Sequence, residues 1–509
     1  LRPISAGLLA ALIASAAPAQ TPMSAIDWLD DPVTVPLAPP RVAPSRDGVT
    51  DGISTPPVTV TPLGETRADA VGLLAPSVTG LPPTLWQASG VDRLRDRLER
   101  IAPEPLPAMQ ELYYTLLLAE AEPPAGTGQH SAFLQARIDA LTALGAVQPA
   151  EALLERAGAA APGLFSRWFD LSLLLGREDR ACAALRDRPE SDSGYAARIF
   201  CAVRAGDWPA AALTYDAAMA LGMLDRAEAR LLGQFLDPES AERALALPPP
   251  ESPSPLVFRL FEAVGRPLPT ATLPRAYAHA DLRGTSGWKA ELEAAERLAR
   301  VGALSENRLL GLYTERKPAA SGGVWDRAAA IQRLDATLEA GRGDAIATAL
   351  AEAWPAMRKA RLEVPVARLY GMRLHRQRLG GEAGRLATRL ALLSSDYEAA
   401  AGTVDAGDGP LAFAAALALG RPTEPAGAGA LEAAIVRAFT TAGPDPAHAP
   451  LIDAGRLGEA ILAAANQLDA AAPANAGQIG GALRTLRAVG LEDSARRAAL
   501  QLLLLEWPR

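Results

Sequence analysis

The chain has 509 residues, enough for two or three ordinary domains or for one extended helical stack. Fifty basic residues against 58 acidic ones give a formal net charge of -8, which argues against nucleic acid as a partner of the whole molecule. Two cysteines and four histidines leave little material for metal or nucleophile chemistry.

Leucine, alanine and arginine dominate, and 43 glycines with 43 prolines punctuate short periodic segments. Only three of the fifty basic residues are lysine, Lys289, Lys317 and Lys359. With the alanine excess, this bias reads as codon usage in a GC-rich bacterial genome, not as a demand for guanidinium chemistry.

Residues 1–19 read as a secretory signal. Arg2 supplies positive charge, residues 4–17 an apolar stretch, and Ala17-Pro18-Ala19 a small-residue cleavage site before Gln20. The expectation is a periplasmic or secreted protein. No later segment reaches about 18 uninterrupted apolar residues, so no transmembrane segment is expected after signal removal.

Residues 20–88 are rich in proline, threonine and valine without a helical period, the composition of an extended, disordered arm. Three apolar islands interrupt it, AIDWL at residues 25–29, VTVTPL at 58–63 and the approach to Leu85-Trp86. Trp28, flanked by Asp27 and Asp30, has the chemistry of a short anchor for a partner groove. The alternative is that the arm drapes over its own body.

From Val91 the spacing turns helical: Val91, Leu94, Leu98 and Ile101 repeat at three and four, and a helical rhythm continues through Phe133, Ile138, Leu141 and Leu144. Helical-hairpin repeats are expected over 89–246, a proline-rich linker at 247–255, a shorter helical block at 256–315, a loop at 316–323 and further hairpin repeats over 324–507. No segment alternates with period two over a useful length, so a β-domain is not expected.

One junction recurs within these blocks. LGAVQPAEALL, LGREDRACAAL and AGDWPAAALTY place Gly145, Gly176 and Gly206 at intervals of 31 and 30 residues, each followed five positions later by alanine. Gly455 with Ala460 and Gly490 with Ala495 repeat the pair 35 residues apart. A glycine past a helix end reverses the chain in a left-handed conformation, and an alanine one turn into the next helix lets two backbones approach. The pattern resembles tetratricopeptide-like repeats, whose helix pairs recur at about 34 residues. The fold expected is all-α, an α-solenoid of helical hairpins preceded by a disordered arm.

Cys182 and Cys201 fall on successive expected helices. Two readings stay open: a bridge across facing helices, contributing roughly 3 kcal/mol, or two buried thiols.

Between residues 358 and 389 nine basic residues meet only Glu363 and Glu382. This stretch, with Arg368, Arg373, Arg376 and Arg378 at its centre, has the charge to steer an acidic protein or an anionic envelope surface. The competing reading is a network neutralised by neighbouring helices, with Glu339 and Glu352 as suppliers of acid.

Catalytic motifs are thin. The histidines, His130, His279, His375 and His448, are far apart, with no His-x-x-x-His or Cys-x-x-Cys, and no phosphate loop precedes any lysine. Ser286-Gly287-Trp288-Lys289 matches Ser-x-x-Lys without the companion motifs of serine-lysine acyl enzymes. No catalytic, cofactor-binding or metal residue is assigned, and no cofactor is expected.

The layout of AIDWL, VTVTPL, GLPPTLW and a long alanine-rich helical body resembles uncharacterised exported bacterial proteins labelled antifreeze-glycopeptide-like. The Ala-Ala-Thr array that such a label implies is absent. What the resemblance implies is service to an envelope machine, with the flagellar motor one candidate. The reading taken forward is a non-catalytic, protein-binding scaffold of the cell envelope. Its rivals are an α-superhelical cell-wall glycan hydrolase and a structural stress protein without a fixed partner.

Overall fold

The computed structural model describes residues 67–126, 131–161, 163–187, 194–239, 247–405, 407, 409–471 and 475–505. Residues 1–19, read above as a signal, and Trp28 lie outside them. Among the described residues there are twenty-five α-helices and no strand, only two isolated backbone bridges, Leu74 to Ala119 and Gly90 to Ala125. The all-α expectation holds.

The recurring glycine does the same thing five times. Gly145, Gly176, Gly206, Gly455 and Gly490 all adopt φ between 69° and 86°. In each case the next amide donates back to the carbonyl five residues earlier: Ala146 to Leu141, Arg177 to Ser172, Asp207 to Ala202, Arg456 to Leu451 and Leu491 to Leu486, at 2.8–2.9 Å. That closure satisfies carbonyls a helix end would leave orphaned and turns the chain within two residues. The alanines that follow, Ala150, Ala181, Ala211, Ala460 and Ala495, are completely buried, as small residues in a close seam must be. The same closure joins the Gly343–Lys359 and Glu363–His375 helices, where Leu362 donates to Met357 at 3.0 Å. There a non-glycine, Arg361, occupies the left-handed position at φ 54°.

Neighbouring hairpins stack in sequence, but stacking does not describe all of the packing. The first helices of the body, Val91–Glu99 and Pro107–Leu118, also pack on the last ones, Leu457–Ala470 and Glu492–Leu504. Leu106 N–H donates to Asp469 and Ala108 N–H to Gln501, both at 2.9 Å, so two free amides at the start of the Pro107–Leu118 helix are satisfied from the far end of the chain. Tyr113 donates to Asn466 and Asp469, and Asn466 donates in turn to Arg97 O at 2.8 Å. A solenoid needs only nearest-neighbour contacts; here the two ends of the helical body are joined.

The arm expected to run to residue 88 gives way earlier, to folded chain by residue 67. Leu85 and Trp86 are buried, and Trp86 meets Phe133 edge-on with ring centroids 5.3 Å apart. Leu85 O accepts the Gly458 amide at 3.0 Å, and a Cβ at Gly458 would stand 2.4 Å from the Trp86 ring. Proline-rich composition does not prevent order where the carbonyls of Leu74, Pro83 and Leu85 accept the amides of Glu120, Glu122 and Gly458.

Residues 67–74 are held by a second device. Asp69 Oδ1 accepts the Leu134 amide at 2.7 Å, serving as the cap of the Ala132–Ala143 helix, whose own Ser131 makes no side-chain cap. Arg137, fully buried, donates to the carbonyls of Leu117, Val71 and Ala119 at 2.8, 2.8 and 3.1 Å. Burial pushes its guanidinium down to about 10, with Asp69 opposing the shift, while burial raises the Asp69 carboxyl.

Ser254 caps the helix beginning at Pro255, and the loop before Val324 ends in Gly322 and Gly323, both at positive φ. Cys182 and Cys201, on the Glu178–Asp187 and Gly194–Arg204 helices, are joined by a buried disulfide with Cα atoms 5.1 Å apart.

Candidate protein-interaction surface

The basic stretch at residues 358–389 is divided among several environments. Arg368 is turned inward, paired with Glu111, which also binds Arg497 at 3.1 Å; burial pushes its guanidinium down to about 10. It is therefore withdrawn from the outer surface. Arg373 pairs with Asp335 at 3.5 Å and lies over the Tyr370 ring, while Arg361 pairs with Glu104. The neutralising acids are thus Glu104, Glu111 and Asp335; Glu352 instead pairs with Arg333. Arg376 and Arg378 stand exposed just past the C-terminus of the Glu363–His375 helix. Much of the run has a local reason, because Arg358, Lys359 and Arg373 occupy last turns of helices, where cations offset the helix dipole.

The groups inspected for catalysis are structurally engaged. Ser286 donates to Asp281 at 2.9 Å and Lys289 pairs with Glu293 four residues on, so the Ser-x-x-Lys pair does not meet as nucleophile and base. His279 bonds to Gly145 O at 2.7 Å and His448 to Thr485 at 2.9 Å; His375 bonds to Thr403. His130 lies outside the described residues. Asp170 is a carboxyl raised to about 6 by burial, against the pull of Arg167. It does not line the cavity of about 630 Å³ between Trp354, Leu386, Leu411 and Leu503.

The surface feature that stands apart is the Trp208–Ala220 helix. Asp207 caps it by accepting the Ala210 amide at 3.1 Å, and Pro209 sits in its first turn, where the missing amide costs nothing. It is packed along one seam only, through Ala211 and Ala218, while Tyr215 donates to Ala229 O of the next helix. Its one charged residue is Asp216. Seven large apolar side chains stand exposed among the described residues; Trp208, Leu213 and Met219 are on this helix, and Leu221 and Met223 follow directly after it. Leu213 is 72 % exposed and Trp208 47 %.

A surface helix ordinarily sorts apolar residues to one face; a helix apolar all round is normally covered all round. The sequence signal is WPAAALTYDAAMA itself, a helical segment with a single charge and no polar face. No family model matches this chain, and no curated protein or solved structure does either.

Proposed function

We propose that this chain is an exported helical scaffold that acts by binding a protein partner of the cell envelope, through the open face of the Trp208–Ala220 helix. The observation that carries the reading is the exposed set Trp208, Leu213 and Met219 on a helix with one charge, followed by exposed Leu221 and Met223 in the turn after it. Clustered exposed apolar groups mark interaction sites, and tryptophan is prominent among residues that dominate interface energies. The buried Cys182–Cys201 bridge supports the export part, since disulfides persist in oxidising compartments.

The test is a double substitution, Leu213→Asp with Met219→Asp, in the full chain. Both side chains are exposed, so the thermal transition should stay in place. The reading requires that a defined protein recovered with the wild-type chain from envelope extract be lost with the variant. Recovery of the same protein at the same yield would refute it.

A further inference from the structure

A cleft of about 480 Å³ opens where the turn at Gly176 and the end of the Gly194–Arg204 helix face the Pro255–Ala263 helix. Its floor is a closed ionic row. Glu178 accepts from Arg259 at 2.8 Å, Arg259 also binds Glu262, and Glu262 accepts from Arg283 at 2.7 and 2.9 Å. Two acids and two guanidiniums cancel there, and buried Glu178 holds the row in register. Arg283 packs over the Gly176 turn, where a Cβ would meet its Cδ at 2.9 Å.

The rim has no such balance. Arg177, Arg204 and Arg308 all line the opening. Arg177 reaches Glu151 at 3.3 Å with a side chain still 59 % exposed, and Arg204 reaches Asp179 at 2.7 Å and the Glu178 of the floor at 3.7 Å. Arg308 has no ion-pair partner among the described residues, its local bond to Ser305 being made by the backbone amide. Five N–H donors on each guanidinium far exceed these acceptors. Between floor and rim the walls carry Leu175, Leu282 and Leu304.

We infer that this cleft binds an acidic peptide segment, with carboxylates held by the rim arginines and an apolar side chain laid on the leucines. Guanidinium forks match carboxylate geometry, and three rim arginines against Glu151 and Asp179 leave the Arg308 charge and further N–H donors for a ligand. A bare phosphate would satisfy the rim and leave the leucine wall uncovered, which is why a peptide is the occupant. The cleft lies outside the apolar face assigned above and goes beyond that reading.

The experiment uses the full chain at low ionic strength, titrated calorimetrically with the blocked tripeptide Glu-Leu-Glu, with Gln-Leu-Gln and with inorganic phosphate. Glu-Leu-Glu should bind, Gln-Leu-Gln should not, and Arg308→Gln or Arg177→Gln should weaken binding about tenfold with unchanged melting. Phosphate should compete only at much higher concentration. Equal affinity for the two tripeptides, unchanged affinity in both variants, or displacement by phosphate at equal concentration would overturn the inference. The Leu213→Asp, Met219→Asp chain should bind the peptide normally, which separates this result from the test of the apolar face.

Discussion

The amide of Ala108 donates to Gln501 Oε1 at 2.9 Å across 393 residues of sequence, both groups buried. This bond, with Leu106 to Asp469 beside it, makes the last helices part of the cap of an early one. Gln501→Ala leaves a buried amide without an acceptor and should cost about 1–3 kcal/mol. Urea unfolding of the full chain checks this, and the loss should be absent from Gln478→Ala, a glutamine whose position lies outside that junction.

Gly458 carries the contact with Trp86. In an unobstructed helix Gly→Ala gains stability by about 1 kcal/mol; here the added methyl meets the ring at 2.4 Å and Leu85 O at 2.8 Å. Gly458→Ala should therefore destabilise the fold by about 1–3 kcal/mol, as overpacking typically does, and lower the melting temperature. Combining it with Trp86→Leu should cost less than the sum of the two single changes.

Arg361 sits where the five recurring junctions use Gly145, Gly176, Gly206, Gly455 and Gly490. Removing the left-handed strain is worth about 1–2 kcal/mol, and its exposed pair with Glu104 is worth only about 0–1 kcal/mol. Arg361→Gly should be close to neutral at low salt and stabilising in about 0.5 M salt, where the pair is screened.

Much of this architecture was legible beforehand. The glycine-alanine spacing found the turns and the buried alanines, and the breaks near 255 and 323 were signalled by proline and glycine. What was not legible depends on partners distant in sequence. Nothing local marks Asp69 as the cap of a helix starting at Ala132, or Arg137 as the acceptor-gathering group under residues 69–71. The acids that neutralise Arg361 and Arg368 lie some 257 residues earlier in the chain, beyond any helix-spacing argument. A charge run is read from sequence; its neutralisation is not.

Burial lowers the His279 imidazole below its ordinary 6.5, its bond to Gly145 O opposing and Arg308 adding to the shift. Above pH 6.5 both folded and unfolded chains are neutral there. As pH falls below 6.5 the unfolded chain takes up the proton first, so stability declines toward the lowered native value. His375 and His448 are lowered by burial too and add to the same slope. His279→Gln should make the slope shallower by up to about 1.4 kcal/mol per pH unit in that window, read from urea midpoints at successive pH values.

Reduction of the Cys182–Cys201 bridge releases a loop of sequence separation 19. The paired change to alanine should cost about 3 kcal/mol, and added reductant should destabilise the wild type but not that variant.

The reading of the Trp208–Ala220 helix as a docking face is tested most directly by a photo-crosslinking residue placed at Leu213 in cells that make the protein, with the exposed position Glu315 as control. Irradiation should yield a discrete adduct with one other envelope protein at 213, absent at 315 and lost when Met219 is changed to Asp. No adduct at 213, or the same adducts at both positions, would contradict it.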